Sequence, residues 1–347
     1  MLTNILYILI AILMLGVIIV AHELGHFFVG RAMGIGVIEF SVGMGPKLFG
    51  WTRKGIQYSV RLLPVGGYCR FVGEDDDDPS PDAMNNRPVW RRFLTVLAGP
   101  VMNFVLAFAI AIGIYCAIPM MKDVTPCVDT LSEGLPAVES GLQTGDVVTH
   151  VNGEEIPYSA EGVAALQQAI QENDAVELTV DRAGEALSFT LTPAASDEEE
   201  GRKLIGVTFT AEYARDTFPE AIRDAWGLTK RASTLMIDVL RNLIFKFQGA
   251  EDVTGAIGMV AVVSRELQTD FSLILDFMFV ISLNLGIINL IPFPGLDGSR
   301  LLFLIIEGIR RKPIPAEKEG LVHMVGLVIL LGLAAVLAVH DIMTYVL

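Results

Sequence analysis

Along the chain, apolar runs alternate with polar stretches on a length scale set by a lipid bilayer. A hydrocarbon core of about 30 Å needs about 20 apolar residues of helix. Four segments have that length, roughly Ile5 to Val29, Phe93 to Ile118, Phe271 to Ile291 and Leu321 to Leu347, each bounded by charges, glycine or proline. Between the first two the period falls to two: Ile56, Tyr58, Val60 and Leu62 alternate with Gln57, Ser59 and Arg61, with turn signals at Thr52 to Gly55 and Pro64 to Gly67. Residues Val37 to Val72 therefore predict a small sheet on the membrane surface. The run EDDDDPSPD, Glu74 to Asp82, predicts a solvated linker.

Between the second and third runs the pattern is that of a separate β-rich domain. Asp146 to Ile156 alternates around Asn152-Gly153, and a second hairpin centres on Ala183-Gly184. Gly162 to Gln171 has helical spacing, and an acidic turn precedes one more strand, Leu204 to Phe209. From Pro219 to Phe247 apolar residues, Ile222, Trp226, Met236, Leu240 and Leu243 among them, share one helical face, with Arg223, Lys230, Arg231 and Arg241 off it. That segment is too charged to span and predicts an amphipathic helix at the interface. The pattern as a whole predicts a polytopic α-helical membrane protein with four transmembrane helices (1–30, 93–118, 271–298, 321–347). A membrane-associated β region (31–92), an inserted β-rich domain (119–210), an amphipathic segment (211–270) and a loop (299–320) complete it.

Composition agrees with a bilayer environment: 52% of residues are hydrophobic before 33 glycines are counted, with mean hydropathy +0.53. The net charge of -15 lies wholly within residues 119 to 220, which hold 20 acidic and 5 basic side chains, while the rest of the chain balances. An acidic block in a neutral apolar frame excludes a nucleic-acid partner, which needs clustered Lys and Arg. Cys69, Cys116 and Cys127 are too few and scattered for a disulfide framework or a cysteine zinc site. The start MLTN lacks a basic n-region and the first run ends in AHELGH, so no cleaved signal peptide is expected. Lys and Arg are densest in 31–92 and 292–320, 9 and 5 residues against 11 in 119–270, which puts the two shorter segments on the cytoplasmic side.

The first run carries His22-Glu23-Leu24-Gly25-His26. The i, i+4 spacing puts both imidazoles on one face of a helix, able to close on a tetrahedral zinc with Glu23 beside them as general base. Ionisable groups at membrane depth are costly and mark function; polar lining of a helix contact is the bland alternative. A catalytic zinc takes a third protein ligand and leaves one position open. In the third run, Pro292 and Pro294 break the helix just before Asp297, which aims a carboxylate back towards the metal or else caps an ordinary helix end. Asn284 and Asn289 would be polar contacts of the cavity or of the substrate backbone.

HELGH, GMGPK (Gly43 to Lys47), LPVGGYCRFVGE (Leu63 to Glu74), LAGPVMNF (Leu97 to Phe104) and NLIPFPGLDG (Asn289 to Gly298) together resemble the site-2 protease family of intramembrane zinc metalloproteases. Within it the chain resembles the bacterial branch with one PDZ domain between the second and third spans. The resemblance covers the chain in order and implies His22, His26 and Asp297 as zinc ligands and Glu23 as catalytic base. Asn289, Pro292 and Pro294 would form the broken-helix site, with residues 37 to 73, Gly43 and Gly45 among them, holding the substrate in extended form. Ser299, Met44 and Ala256 depart from the usual Gly, Phe and Pro of the family, and none is a ligand. The resemblance also implies a multi-pass protein of the bacterial inner membrane acting on single-span proteins, such as anti-sigma factors or remnant signal peptides, after trimming by a site-1 protease.

Glu133 to Ile156 resembles bacterial PDZ domains, whose entry loop would fall at Gly134 and Leu135. Two roles stay open for this domain, peptide binding and a bulky gate that excludes large substrates. Two other readings of the chain also stand: a non-catalytic scaffold, which has no use for Glu23, and a zinc hydrolase of small amphiphiles.

Overall fold

The computed structural model describes every residue except 1, 75–77, 196–201, 247, 249–253, 313, 315 and 346–347. These fall into two compact units, Met1–Ile114 with Phe218–Leu347, and Tyr115–Thr217.

The first unit opens with α1 (Leu2–Ala32), apolar nearly throughout, followed by β1 (Val37–Arg53), β2 (Ile56–Phe71) and α2 (Val89–Ala117). β1 and β2 are long strands that fold back on themselves. Beyond the Lys54-Gly55 turn, Arg53 to Phe49 pair with Ile56 to Val60, while Glu39 to Val42 meet Gln57 to Val60 with both numbers rising and Arg70 to Gly67 with one falling. The expected turn at Pro64 to Gly67 does not interrupt β2; the strand exchanges one partner for another there, with Gly66 at φ +89°. Gly43 is left-handed at φ +84°, and a Cβ on it would lie 2.5 Å from the Leu63 carbonyl, so only glycine fits this bulge.

Inside the sheet sits a charged network. Glu39, 7% exposed, accepts from Ser59 Oγ at 2.6 Å and Arg61 Nη2 at 2.9 Å, and Arg61 also donates to the Gly45 carbonyl at 2.9 Å and to Tyr68. Burial alone would raise the Glu39 carboxyl, but hydrogen bonds from Ser59, Tyr68 and Arg61 hold it below the usual range. Val37, Phe40, Ile56 and Phe71 of the sheet are buried, while Met44, Leu48, Phe49, Trp51, Leu62 and Leu63 present an exposed apolar surface.

The segment expected as a solvated linker is more ordered than its charge indicated. Glu74 pairs with Arg300, the Asp82 carbonyl accepts from Gly36 N at 2.9 Å, and Asp78 Oδ1 accepts from Ser80 N at 2.8 Å. The ion pair and hydrogen bonds satisfy these groups, which composition could not show; Asp75 to Asp77 lie outside the described residues.

The second unit follows with β3 (Met120–Leu131), α3 (Pro136–Ser140), β4 (Val147–Val151), β5 (Glu154–Glu155), α4 (Ala160–Glu172), β6 (Val176–Arg182), β7 (Glu185–Leu191), β8 (Ala194–Ala195), β9 (Lys203–Leu204) and β10 (Val207–Ala214). Its main sheet runs β10-β3-β4-β6-β7, with β5 on β4. Leu166 and Ile170 of α4 pack on Val148, Val176, Leu178, Val180 and Leu191, so this unit has its own core. Asn152 and Ala183 both have positive φ beside a glycine, which closes the two hairpins.

The chain then returns to the first unit through α5 (Phe218–Lys246), α6 (Ala256–Thr269), α7 (Leu273–Asn289), α8 (Asp297–Arg310) and α9 (Ala316–Tyr345). Phe247, placed on the apolar face of the amphipathic helix, lies outside the described residues. Among the described residues three helices are long and apolar enough to cross a membrane: Ile5–Ala32, Val89–Ala117 and Glu319–Tyr345. The segment read as a third span forms α7, only 17 residues, about 25 Å at 1.5 Å per residue. Residues 299 to 320, expected as a loop, are helical to Arg310, because Leu301 and Leu304 recur at helical spacing and bury against the Phe27, Phe40 and Val96 cluster. The sequence reading also lacked α6, whose Val263 and Leu267 pack on Ala11, Met14 and Ile18 of α1. Asp341 of α9, fully buried, accepts from Gly255 N at 3.2 Å and Gly258 N at 2.8 Å and so caps α6 from another helix.

In the second unit Asp146 accepts Arg182 Nε and Nη2, both at 2.7 Å, and Gln143 N at 2.8 Å. Chiefly the Arg182 hydrogen bonds, aided by Gln143 and opposed by burial, hold its carboxyl below the usual range. A carboxyl lowered on folding stabilises above its unfolded value of about 3.9 and loses that contribution as pH falls. Asp146→Asn is therefore expected to reduce hydrogen-exchange protection of the β4 and β6 amides in the intact protein at pH 7. The difference from wild type should shrink as pH falls below about 4.

Candidate metal centre

Three donor atoms from two distant parts of the chain converge near the C-terminal end of α1. His22 Nε2 lies 3.0 Å and His26 Nε2 3.4 Å from Asp297 Oδ2, and the two Nε2 atoms are 3.2 Å apart. Ligands about 2.0–2.1 Å from a tetrahedral zinc stand about 3.3 Å from one another, so the triangle has the dimensions of one face of that polyhedron. Both imidazoles are buried, and Asp297 Oδ2 has no hydrogen-bond partner. Such a buried carboxylate oxygen needs a cation. Among the described residues, His22, His26 and Asp297 form the one group of this kind with metal-ligand spacing.

The helices reach this arrangement through glycine. A Cβ on Gly25 would run into the Ala98 carbonyl of α2, and one on Gly99 would run into the His26 ring and lie 2.9 Å from His22 Cε1. Gly25 thus lets the helix backbones approach, and Gly99 makes room for the imidazoles. His26 Nδ1 meets the Thr95 carbonyl at 2.9 Å. A carbonyl only accepts, so Nδ1 carries the proton and the lone pair of a neutral His26 is on Nε2, facing the other donors.

Asp297 is the first residue of α8. Pro292 and Pro294 cannot supply the amide protons that a continued α7 needs. The chain turns instead through Phe293 N to Ile291 O at 2.7 Å and Leu296 N to Phe293 O at 3.1 Å, with Gly295 at φ +96°. Gly326 of α9 packs directly on the Pro294 carbonyl and holds the turn down.

A cavity of about 300 Å³ opens on the triangle, bordered by Glu23, Tyr68, Cys69, Glu74, Asn289 and Arg300. The structure therefore brings His22, Glu23, His26, Asn289 and Asp297 together. Asn284 stays half-buried in α7 outside the cavity, and Pro292, Pro294, Gly43 and Gly45 shape neighbouring backbone without lining it. Gly67 puts β2 against the active face of α1, because a Cβ there would lie 3.2 Å from Glu23 Cγ. The sequence reading did not single out Tyr68, Cys69, Glu74 and Arg300. Tyr68, Cys69 and Glu74 fall inside the quoted LPVGGYCRFVGE motif, and Arg300 stands three residues after Asp297.

In the second unit Leu135 borders a cavity of about 670 Å³ that Gly134 does not reach. Its walls are Ile170 and Gln171 of α4 and the stretch from Arg202 to Val207. The loop at this cavity is thus Ile205-Gly206, with Gly206 at φ +82° packed on Leu135. That glycine falls inside the expected Leu204 to Phe209 strand, which the structure divides there into β9 and β10.

Residues 10–333 match the model of Peptidase family M50. The chain is 28% identical to the regulator of sigma-W protease RasP of Bacillus subtilis, across 95% of this chain and 97% of that one. It is 28% identical to the zinc metalloprotease RasP of Shouchella clausii, across 94% and 96%. A Clostridium acetobutylicum protein that bears zinc metalloprotease as a provisional name is 32% identical across 96% and 97%.

If the glycine at 99 is there to seat the imidazoles, Gly99→Ala should drop bound zinc in the purified protein from about one per chain to below about a tenth. Alanine favours a helix by about 1 kcal/mol over glycine, so α2 itself should not weaken. Circular dichroism checks the helix content and elemental analysis the metal.

Proposed function

Since the chain belongs to the M50, or site-2 protease, family and is a zinc metalloprotease, we propose that it hydrolyses peptide bonds of single-span membrane proteins, with His22, His26 and Asp297 as zinc ligands and Glu23 as base. The convergence of three donors at the dimensions of a zinc site carries this reading. Zinc held there supplies a Lewis acid that polarises the scissile carbonyl and acidifies water. Glu23 borders the same cavity; it takes the proton of the attacking water and passes it to the departing amine nitrogen. Asn289 borders it too and is placed to hydrogen-bond the substrate backbone.

A transmembrane helix hides its amides in its own hydrogen bonds, so the substrate must first be unwound. We assign the extended segment to the sheet edge at Gly67–Phe71, because Tyr68, Cys69 and Phe71 border the cavity and Gly67 abuts Glu23. Arg300, bonded to Glu74 just past this edge, ties it to the helix that bears Asp297.

Counting α7 as a spanning helix, its shortness made up by the turn after it, gives four spans. The Lys and Arg distribution then puts 31–92 and 292–320 on the cytoplasmic side of a bacterial inner membrane. Anti-sigma factors and remnant signal peptides trimmed by an earlier protease are the substrates this reading favours; one relative's name, regulator of sigma-W protease, points the same way.

For residues 119–210 we favour the PDZ-type peptide-binding reading over the gate. β10 is the outer strand of its sheet, and the groove between it and α4 is lined by Arg202 and Lys203, which offset locally the unit's negative charge. A labelled apolar peptide with a free C-terminus should bind the intact protein, and Ala164→Glu, at an exposed α4 position on the groove, should lose it. No binding by the wild type sinks this part.

Glu23→Gln should keep its zinc and lose about 10²- to 10⁴-fold in cleavage of a tagged single-span substrate in detergent or vesicles. Equal cleavage by the two proteins would refute the assignment. Proline placed along Gly67–Phe71 should slow cleavage without removing zinc, and unchanged cleavage would eliminate the strand edge as the substrate site.

A further inference from the structure

Asn103 of α2 is fully buried at membrane depth, where an unpaired amide is costly. Its side-chain nitrogen lies 3.1 Å from His22 Nδ1, and its Oδ1 has no partner. The amide is thus anchored by His22 alone among the described residues, and nothing else determines which of its two arms faces the ring. A half-turn about its last bond exchanges donor for acceptor without moving any neighbour. Its backbone is held independently, since Ser282 Oγ of α7 donates to the Asn103 carbonyl at 2.9 Å.

His22 decides the matter. Ligation through Nε2, the atom that faces His26 and Asp297, requires the lone pair there and leaves the proton on Nδ1. The atom 3.1 Å away must then accept. We propose that Asn103 is a positioning residue for the metal site, with its Oδ1 accepting the His22 Nδ1 proton and fixing both tautomer and ring plane. Thr95 does the same for His26 through its backbone carbonyl. The two imidazoles of α1 are then oriented by one neighbouring helix, from positions eight residues, or about two turns, apart. Outer partners of this kind make imidazole more basic and typically contribute about 10- to 100-fold in metal affinity. The amide has a further consequence at this depth: a carboxylate could accept the same proton, but it would add a buried charge beside the ligands.

The inference rests on zinc binding at His22, His26 and Asp297, and the experiment separates the two. Zinc affinity of the intact, detergent-solubilised protein is measured by competition with a chromophoric chelator for wild type, His22→Ala, Asn103→Leu and Asn103→Asp. Wild type binding no tighter than His22→Ala would overturn the metal reading itself. With that reading intact, Asn103→Leu, which can neither donate nor accept, should bind zinc about 10- to 100-fold more weakly. Asn103→Asp, which when ionised can only accept, should stay within about threefold of wild type or bind more tightly. Leu at full affinity would overturn the proposal. So would Asp weakened as much as Leu, because that result assigns Asn103 to packing or to donation. Should the Leu variant fail to fold, the Asp variant alone decides between acceptor and donor. Cobalt substitution adds a second readout: the visible bands of the bound ion should keep the wild-type pattern in Asp and shift in Leu if the ring plane is released.

Discussion

Two imidazoles and a carboxylate meet within 3.0–3.4 Å in a part of the protein where water is scarce. Groups so close are tolerable there only with a cation between them, since an isolated buried carboxylate oxygen costs several kcal/mol or changes its protonation. The requirement reaches outward through the first unit. The helix bearing Asp297 has to start at the depth of His22 and His26, so the preceding helix must stop, and Pro292 and Pro294 stop it. The released chain has to turn within a few residues, so Gly295 takes a left-handed conformation and Gly326 lets α9 close over the turn.

The crossing of α1 and α2 obeys the same constraint. Gly25 and Gly99 remove the side chains that would hold the helices apart, and the space goes to the rings of His22 and His26. The hydrogen-bond acceptor for His26 comes from the backbone that this approach brings near, the Thr95 carbonyl. A helix that served only as a membrane anchor would show neither the glycine contacts nor a buried asparagine aimed at an imidazole.

The β region supplies the remaining wall. Its inner polar network, Glu39 with Ser59, Arg61 and Tyr68, is almost fully hydrogen-bonded, which makes a charged interior tolerable in a sheet that buries Val37, Phe40, Ile56 and Phe71 and exposes Leu48, Phe49 and Leu62. Arg61 also holds the Gly45 carbonyl and so fixes the bulge at Gly43 to Gly45. The family glycines in that motif therefore act on the shape of the sheet rather than on the cavity, from which they are absent.

Much of this was legible in the order of residues. Helical spacing places His22, Glu23 and His26 on one face, because i and i+4 are neighbours on any helix. Long apolar runs and their proline breaks mark where helices start and stop, since those rules act over a few residues. Asn152-Gly153 and Ala183-Gly184 announce their turns in the same local way. What the order of residues could not reveal were the relations across many tens of residues: Asn103 beside His22, Glu74 paired with Arg300, Asp341 capping α6, and Gly206 rather than Gly134 at the groove of the second unit. Each depends on which faces meet after the helices pack, and packing is decided by the summed shape of side chains from several elements. The sequence by itself determined the chemistry available and the depth at which it sits; only the tertiary structure decided which buried polar group answers which.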